Sequence, residues 1–154
     1  YCRDSDKRAV VERYGETCGV GIGFVRGFGL KGGAQAYSTS HDHHNIVTVG
    51  ADDADMALAV NTVAEMQGGL AVVCNGAVLA KMCLPIGGLM STKPAEAVMA
   101  EQDAMNEAAR QLGCAGSAPF MTLSFIALPT VPELGLTDLG LIYVLEHKLI
   151  PLEY

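Results

Sequence analysis

Short apolar runs of period two dominate the first third of the chain. Residues 9–14 (Ala-Val-Val-Glu-Arg-Tyr) predict a short strand closed by Gly15. Across residues 18–28, Gly19, Gly21 and Gly23 alternate with Val20, Ile22 and Phe24. A strand of that pattern has one bare face, against which a second backbone can lie closely. Residues 35–40 and 45–50 predict two more strands around a polar, His-rich turn.

At residue 52 the period becomes helical. Met56, Ala59, Val60, Val63 and Ala64 share a face, and Gly68-Gly69 ends the pattern. Asp52 is placed to cap this helix, with Asp53 and Asp55 in the first turn, where the helix dipole favours anions. A hairpin follows, in which residues 70–74 and 77–83 flank Asn75-Gly76. In that register Cys74 pairs with Ala77, and Cys83 lies about 20 Å further along, so these thiols cannot bridge. Residues 84–91 form an unusually apolar loop. Ser91 or Thr92 is expected to cap a second helix, with Pro94 in its first turn and Gly113 at its C-cap. Val98, Met105, Ala109 and Leu112 line one face of it. Residues 119–132 are ambiguous: Phe120, Leu123 and Ala127 fit a short helix that Pro129 and Pro132 would cut. Residues 141–150 predict a final strand. About six or seven strands and two main helices predict one α+β domain over residues 1–154, two-layered, with a mixed, mainly antiparallel sheet.

Composition narrows the function. The 154 residues suffice for a core, but a complete eight-stranded α/β barrel needs at least about 200. Half the residues are apolar and 18% are charged, which excludes a disordered tail. The mean hydropathy of +0.28 predicts that part of the surface lies against something else. A net charge of −7 and a pI near 4.9 give no footprint for nucleic acid or an anionic membrane. No apolar run reaches the roughly 18 residues of a membrane-spanning helix. The first eight residues precede no apolar h-region, so no signal peptide is expected. The chain begins with Tyr1 rather than Met, so it is expected to be a piece of something longer. Cys2, Cys18, Cys74, Cys83 and Cys114 are odd in number and include no C-x-x-C pair. That predicts buried free thiols in a reducing cytoplasm. Met82, Met90, Met99, Met105 and Met121 are expected to fill gaps in the core.

Three of the four histidines fall in Ser40-His41-Asp42-His43-His44-Asn45. In extended chain His41 and His43 share a face, as metal ligands or as a base beside a carboxylate would. A polar turn that caps backbone groups explains the same residues. A metal site takes three or four ligands, and the remaining His147 is far along the chain. Residues 27–32 satisfy G-x-G-x-x-G after a strand, but no helix of useful length follows, so a glycine turn is expected. Ser38 and Ser40 near His41 lack a G-x-S-x-G elbow and are discounted as nucleophiles.

Read together, these blocks resemble the C-terminal region of bacterial adenine deaminases. The match is carried by residues 21–30 with Gly33-Ala34, by His41-Asp42 and His44-Asn45, and by residues 55–61. Leu84-Pro85-Ile86, residues 88–91, residues 119–125, Pro132-Glu133-Leu134 and Leu136-Thr137-Asp138 continue it in order. The resemblance covers about residues 10–144. It implies an amidohydrolase-superfamily enzyme of purine salvage that converts adenine and water to hypoxanthine and ammonia. It implies a binuclear manganese or iron centre in an α/β barrel N-terminal to this region. No cofactor and no catalytic residue are then expected in this chain alone, and its H-x-H at residues 41–43 is coincidental. Residues 84–90 and 119–128 would pack on the missing barrel. His41, Asp42, His44 and Asn45 would face the active-site mouth or bind substrate. Two positions depart from the family's pattern. His43 stands where Ser is typical, offering a proton acceptor or a clash at the mouth, and Gly135 stands where Lys is typical. Expected partners are the barrel, adenine and further copies of the same protein, in the cytoplasm. The alternatives are a stand-alone binding or oligomerisation domain, and a small metalloprotein using His41, His43 and His44.

Overall fold

The Asn75-Gly76 turn organises the centre of the fold. A computed structural model describes residues 5–15, 17–131 and 133–152. Strands β5 (Gly69–Cys74) and β6 (Ala77–Cys83) form the predicted hairpin, with Cys74 opposite Ala77 and Gly69 opposite Cys83. Both turn residues take positive φ, 52° at Asn75 and 74° at Gly76, as this turn requires. Asp55 reinforces it from outside. Its buried carboxylate accepts the backbone N–H groups of Asn75 (2.8 Å) and Gly76 (2.7 Å).

Strands β1 (Ser5–Val11), β2 (Val20–Arg26), β3 (Ala34–Tyr37) and β4 (Ile46–Gly50) complete a six-stranded sheet in the order β2-β1-β4-β3-β5-β6. Every pairing in it is antiparallel. The α+β class is the one the patterning predicts. The first strand starts and stops earlier than residues 9–14 suggested. Glu12 ends it, because its carboxylate accepts from the Thr17 hydroxyl (2.6 Å) and from the Thr17 and Gly19 N–H groups. The 27–32 glycine segment turns into β3 with no helix between, as expected.

Helix α1 (Asp53–Glu65) begins at Asp52, whose side chain accepts the Asp55 N–H at 2.9 Å. It packs on β3, β4 and β5. Helices α2 (Ala95–Gln111) and α3 (Pro119–Ile126) lie on the opposite face. The central strands are therefore apolar on both faces: Leu70 and Val72 of β5 join one core cluster, and Ala71 and Val73 the other. The cap of α2 differs from expectation. Pro94 occupies that position with no side-chain bond, while Ser91 spends its hydroxyl on the Lys93 N–H.

The predicted final strand is broken. It divides into β8 (Gly140–Tyr143), a 3-10 turn (Val144–Glu146) and β9 (Lys148–Ile150), with His147 left-handed at φ 50°. With β7 (Leu134–Thr137), which the patterning did not predict, these make a second, three-stranded sheet in the order β7-β8-β9. This small sheet lies on the bare side of β2. A Cβ at Gly21 would overlap the Thr137 carbonyl, and one at Gly23 would touch Leu136. Val20, Ile22 and Phe24 point the other way and remain about half exposed.

Two compositional expectations need correction. Met82 and Met105 are core residues, but Met90, Met99 and Met121 are exposed, because their loop or helix face meets no other element. Cys114 is buried, but Cys18 and Cys83 are exposed and Cys74 is partly so. Cys2 lies outside the described residues. Burial pushes the Cys114 thiol up to about 12, so it is inert as a nucleophile.

Candidate functional site

The His-rich turn joins β3 to β4, and it is coiled rather than extended. Asp42 (φ 66°) and His44 (φ 50°) are both left-handed, and the His43 N–H bonds back to the His41 carbonyl at 2.9 Å. The face shared by His41 and His43 in an extended chain therefore does not exist here. His41 is exposed, and its ring lies against Phe125 of α3 at 5.2 Å between centroids. His43 is turned inward. Its Nδ1 accepts the Asn45 N–H (3.1 Å) and lies 3.3 Å from the Ser40 hydroxyl, which itself donates to the Asn45 carbonyl. This bonding assigns the ring proton to Nε2. Burial holds the His43 imidazole below its ordinary pKa, partly offset by the Asp138 carboxylate.

Asn45 is buried and anchors the turn. Its side-chain Nδ2 donates to Asp138 Oδ1 (2.9 Å) and its side-chain Oδ1 accepts the Arg13 backbone N–H (3.1 Å). It ties the turn to the β7–β8 connection, 93 residues away in sequence. Of the sequence-predicted site residues, His41 and Asp42 are thus exposed, His44 is half-buried and Asn45 is internal. Ser38, discounted as a nucleophile, is a structural clamp. Its hydroxyl accepts the Gly69 N–H (2.8 Å) and donates to the Gly88 carbonyl (2.6 Å). The apolar 84–91 loop is thereby fixed beside the end of β3. Tyr14 reaches the same loop, donating to the Gly87 carbonyl (3.3 Å), while Arg13 donates to the Tyr14 hydroxyl (2.7 Å) and to the Gln67 carbonyl (2.7 Å).

Around the end of β3 the fold gathers the His turn, the 84–91 loop, α3 and the β7–β8 connection. Four half-exposed apolar side chains, Ile86, Met90, Met121 and Phe125, come from this loop and α3. Between the end of β3, α2 and α3 lies a cleft of about 320 Å³. His41 lines it, together with Tyr37, Gln102, Asn106, Phe120 and Ser124. Only His41 among them was singled out from the sequence as a candidate site residue. The others come from distant segments whose polar residues carry no local signal. Burial raises the Tyr37 phenol well above its ordinary pKa, an effect the neighbouring Ser124 hydroxyl partly opposes.

Among the described residues no three His, Cys, Asp or Glu side chains converge to hold a metal ion. His43 spends Nδ1 on the turn's own backbone, which removes it from any set with His41. The binuclear centre implied by the resemblance has no matching donor set in these residues. No described helix is long and apolar enough to cross a membrane.

Over residues 2–148 the chain matches the family model described as the adenine deaminase C-terminal domain. The chain belongs to this family. An adenine deaminase of Desulforamulus reducens is 66% identical over 145 residues, covering 94% of this chain and 25% of the relative. Adenine deaminases of Dehalococcoides mccartyi and Moorella thermoacetica are each 50% identical, over 147 and 149 residues, covering 96% and 97% of this chain. The chain thus spans about a quarter of the length of the curated relatives it matches. At Gly135 the backbone packs closely on its neighbours. A Cβ there would lie 2.7 Å from Pro129 Cα and 2.9 Å from the Leu128 carbonyl oxygen. A Lys at this position requires the 128–129 segment to move outward.

Proposed function

We propose that this chain is the C-terminal accessory domain of an adenine deaminase, an enzyme that converts adenine and water to hypoxanthine and ammonia. The observation that carries this is the match itself: nearly all of this chain against only a quarter of each relative named adenine deaminase. In this reading the remaining three quarters hold the catalytic barrel and its manganese or iron pair. The domain packs on that barrel through the apolar side chains of the 84–91 loop and α3. Its exposed His41 and Asp42, with His44, lie at the active-site mouth, where they position the purine or its water by hydrogen bonding. Asn45 serves this role indirectly, by holding the turn against Asp138. Association into a homo-oligomer and a cytoplasmic location belong to the same proposal.

The test is His44→Asn in the full-length enzyme, since Asn tolerates the left-handed backbone at this position. Deaminase activity is expected to fall with little change in Tm. Parallel loss of both would make His44 a structural residue and remove it from the mouth. Activity left intact would remove it as well.

A further inference from the structure

The six-stranded sheet ends in two different edges, β6 and β2. The β6 edge carries the exposed Lys81, and its ladder with β5 skips Leu79 between Ala80 and Val78. A charge and a bulge are ordinary guards against pairing with another chain. The β2 edge has neither. Residues 20–25 hold no charge and no Pro, and the ladder with β1 runs unbroken from Val20 to Arg26. The Glu12 N–H donates to the Gly19 carbonyl (2.9 Å), so Gly19, Gly21 and Gly23 turn their backbone groups toward β1. Val20, Ile22 and Phe24 therefore turn theirs outward, where no strand among the described residues pairs with them. The small sheet rests on the glycine face of β2 and forms no ladder with this edge.

The same three residues carry apolar side chains on one face, each about half exposed. Against a second, antiparallel β2 related by a two-fold axis at Ile22, each of them finds a match. Ile22 faces its own copy, and Val20 faces Phe24 in both directions. Every such pairing exchanges backbone hydrogen bonds both ways, and aromatic–β-branched neighbours add to it. Val20 also lines an apolar groove of about 340 Å³ between β1, β2 and α1, walled by Val11, Met56 and Val60, so the facing Phe24 falls at its rim. Charge fits the same register. The chain's net charge of −7 opposes self-association in general. The paired stretch is uncharged, and Arg26 at its end comes beside the 15–19 turn of the second copy, where the Glu12 carboxylate is held by Thr17 and Gly19. Two-fold symmetry forms this opposite-charge contact at both ends of the ladder. The strand edges and side chains of two copies bury roughly 1,000 Å², the lower bound for a specific interface, so the dimer is weak and concentration-dependent.

We propose that β2 is the self-association strand of this protein, joining two copies through an antiparallel β2–β2 ladder into one continuous sheet. This gives the homo-oligomer of the proposed function a surface, and it rests on that reading for the expectation that copies associate. The choice of β2 and of its register rests on the sheet alone.

The experiment is sedimentation equilibrium of the full 154-residue chain, of Ile22→Lys, of Ile22→Glu and of an equimolar mixture of the two variants, at concentrations up to about 1 mM. The parent chain should approach twice the 16.1 kDa of one copy. Ile22 is half exposed and faces itself in the ladder, so either substitution sets like charges together. Each should weaken the dimer at least about tenfold, with the circular dichroism spectrum unchanged. The mixture should recover the dimer, because Lys then meets Glu. Arg26→Glu, which leaves the apolar face intact, should weaken the dimer as well. A parent chain that stays monomeric overturns the proposal. So do Ile22 variants that still dimerise, a mixture that does not recover, or an Arg26→Glu dimer of unchanged affinity. The proposed function fails separately. A monomeric chain that the full-length enzyme still needs for adenine turnover leaves the accessory role standing and removes the β2 ladder. A chain that dimerises through β2 but is dispensable for turnover does the reverse.

Discussion

At the scale of single residues, one buried polar group, Asp55, and one half-buried, His43, have roles that their position in the sequence disguises. Asp55 stands in the first turn of α1, where an acid is ordinarily a dipole or capping residue. Its carboxylate instead accepts two backbone N–H groups of the Asn75-Gly76 turn, 20 and 21 residues away. Hydrogen bonds to a charged group contribute about 1.5–3 kcal/mol each, though shared losses do not simply add. Asp55→Ala is expected to destabilise the chain by about 2–4 kcal/mol in urea unfolding, on that basis; a change under about 0.5 kcal/mol, typical of a neutral surface site, would contradict the anchoring role. His43 predicts a pH effect. Burial lowers its pKa in the folded chain below the ordinary value of 6.5. Well above the ordinary value of 6.5 the ring is neutral in both states, so it makes no difference there. As pH falls further the unfolded chain takes up the proton first, and stability drops until the folded-state pKa is passed. His43→Asn keeps an acceptor for the Asn45 N–H but cannot titrate. Its Tm should therefore fall less than that of the parent between pH 7.5 and pH 5, a window that about spans this titration. Equal falls would show that His43 is not the group responsible.

At the scale of elements, local signals were legible where the structure is decided locally. The β5–β6 hairpin and its register follow from Asn75-Gly76 and the flanking apolar runs. The start of α1 follows from Asp52, whose short side chain caps the helix. The glycine face of β2 showed that some backbone would approach it, but not which. That partner is the β7–β8 hairpin, which begins more than 100 residues later, and no local pattern encodes such a pairing. Gly21→Ala tests the contact. The added methyl would overlap the Thr137 carbonyl, and overpacking of this kind costs about 1–3 kcal/mol. The expected result is lower stability with faster hydrogen exchange across β7 and β8. Unchanged exchange there would mean that the two sheets do not rest on one another. The final strand was misjudged because residues 141–150 hold no Gly or Pro; the break falls at the polar Glu146-His147-Lys148, where His147 takes a left-handed backbone. The His turn failed for a similar reason. Left-handed Asp42 and His44 coil the chain, and the face read from strict alternation disappears.

At the scale of the whole molecule, the candidate site was only partly legible. Its exposed members, His41 and Asp42, stood out as a cluster in the sequence. Tyr37, Gln102, Asn106 and Ser124 converge on the cleft from three separate elements, and only the folded chain brings them together. The fold also explains the apolar composition. Val20, Ile22 and Phe24 on one side, and Ile86, Met90, Met121 and Phe125 near the His turn, stay half exposed after this domain has folded. The central claim is that these residues form an accessory domain whose catalysis depends on polypeptide outside it. The most direct measurement follows adenine loss by ultraviolet absorbance in three samples supplied with manganese or iron: this chain alone, the full-length enzyme, and the full-length enzyme with this domain deleted. No turnover by the chain alone, turnover by the full-length enzyme and strongly reduced turnover after the deletion are expected. Turnover by the isolated chain, or undiminished turnover without it, would show that this is not an accessory domain dependent on the rest of the enzyme.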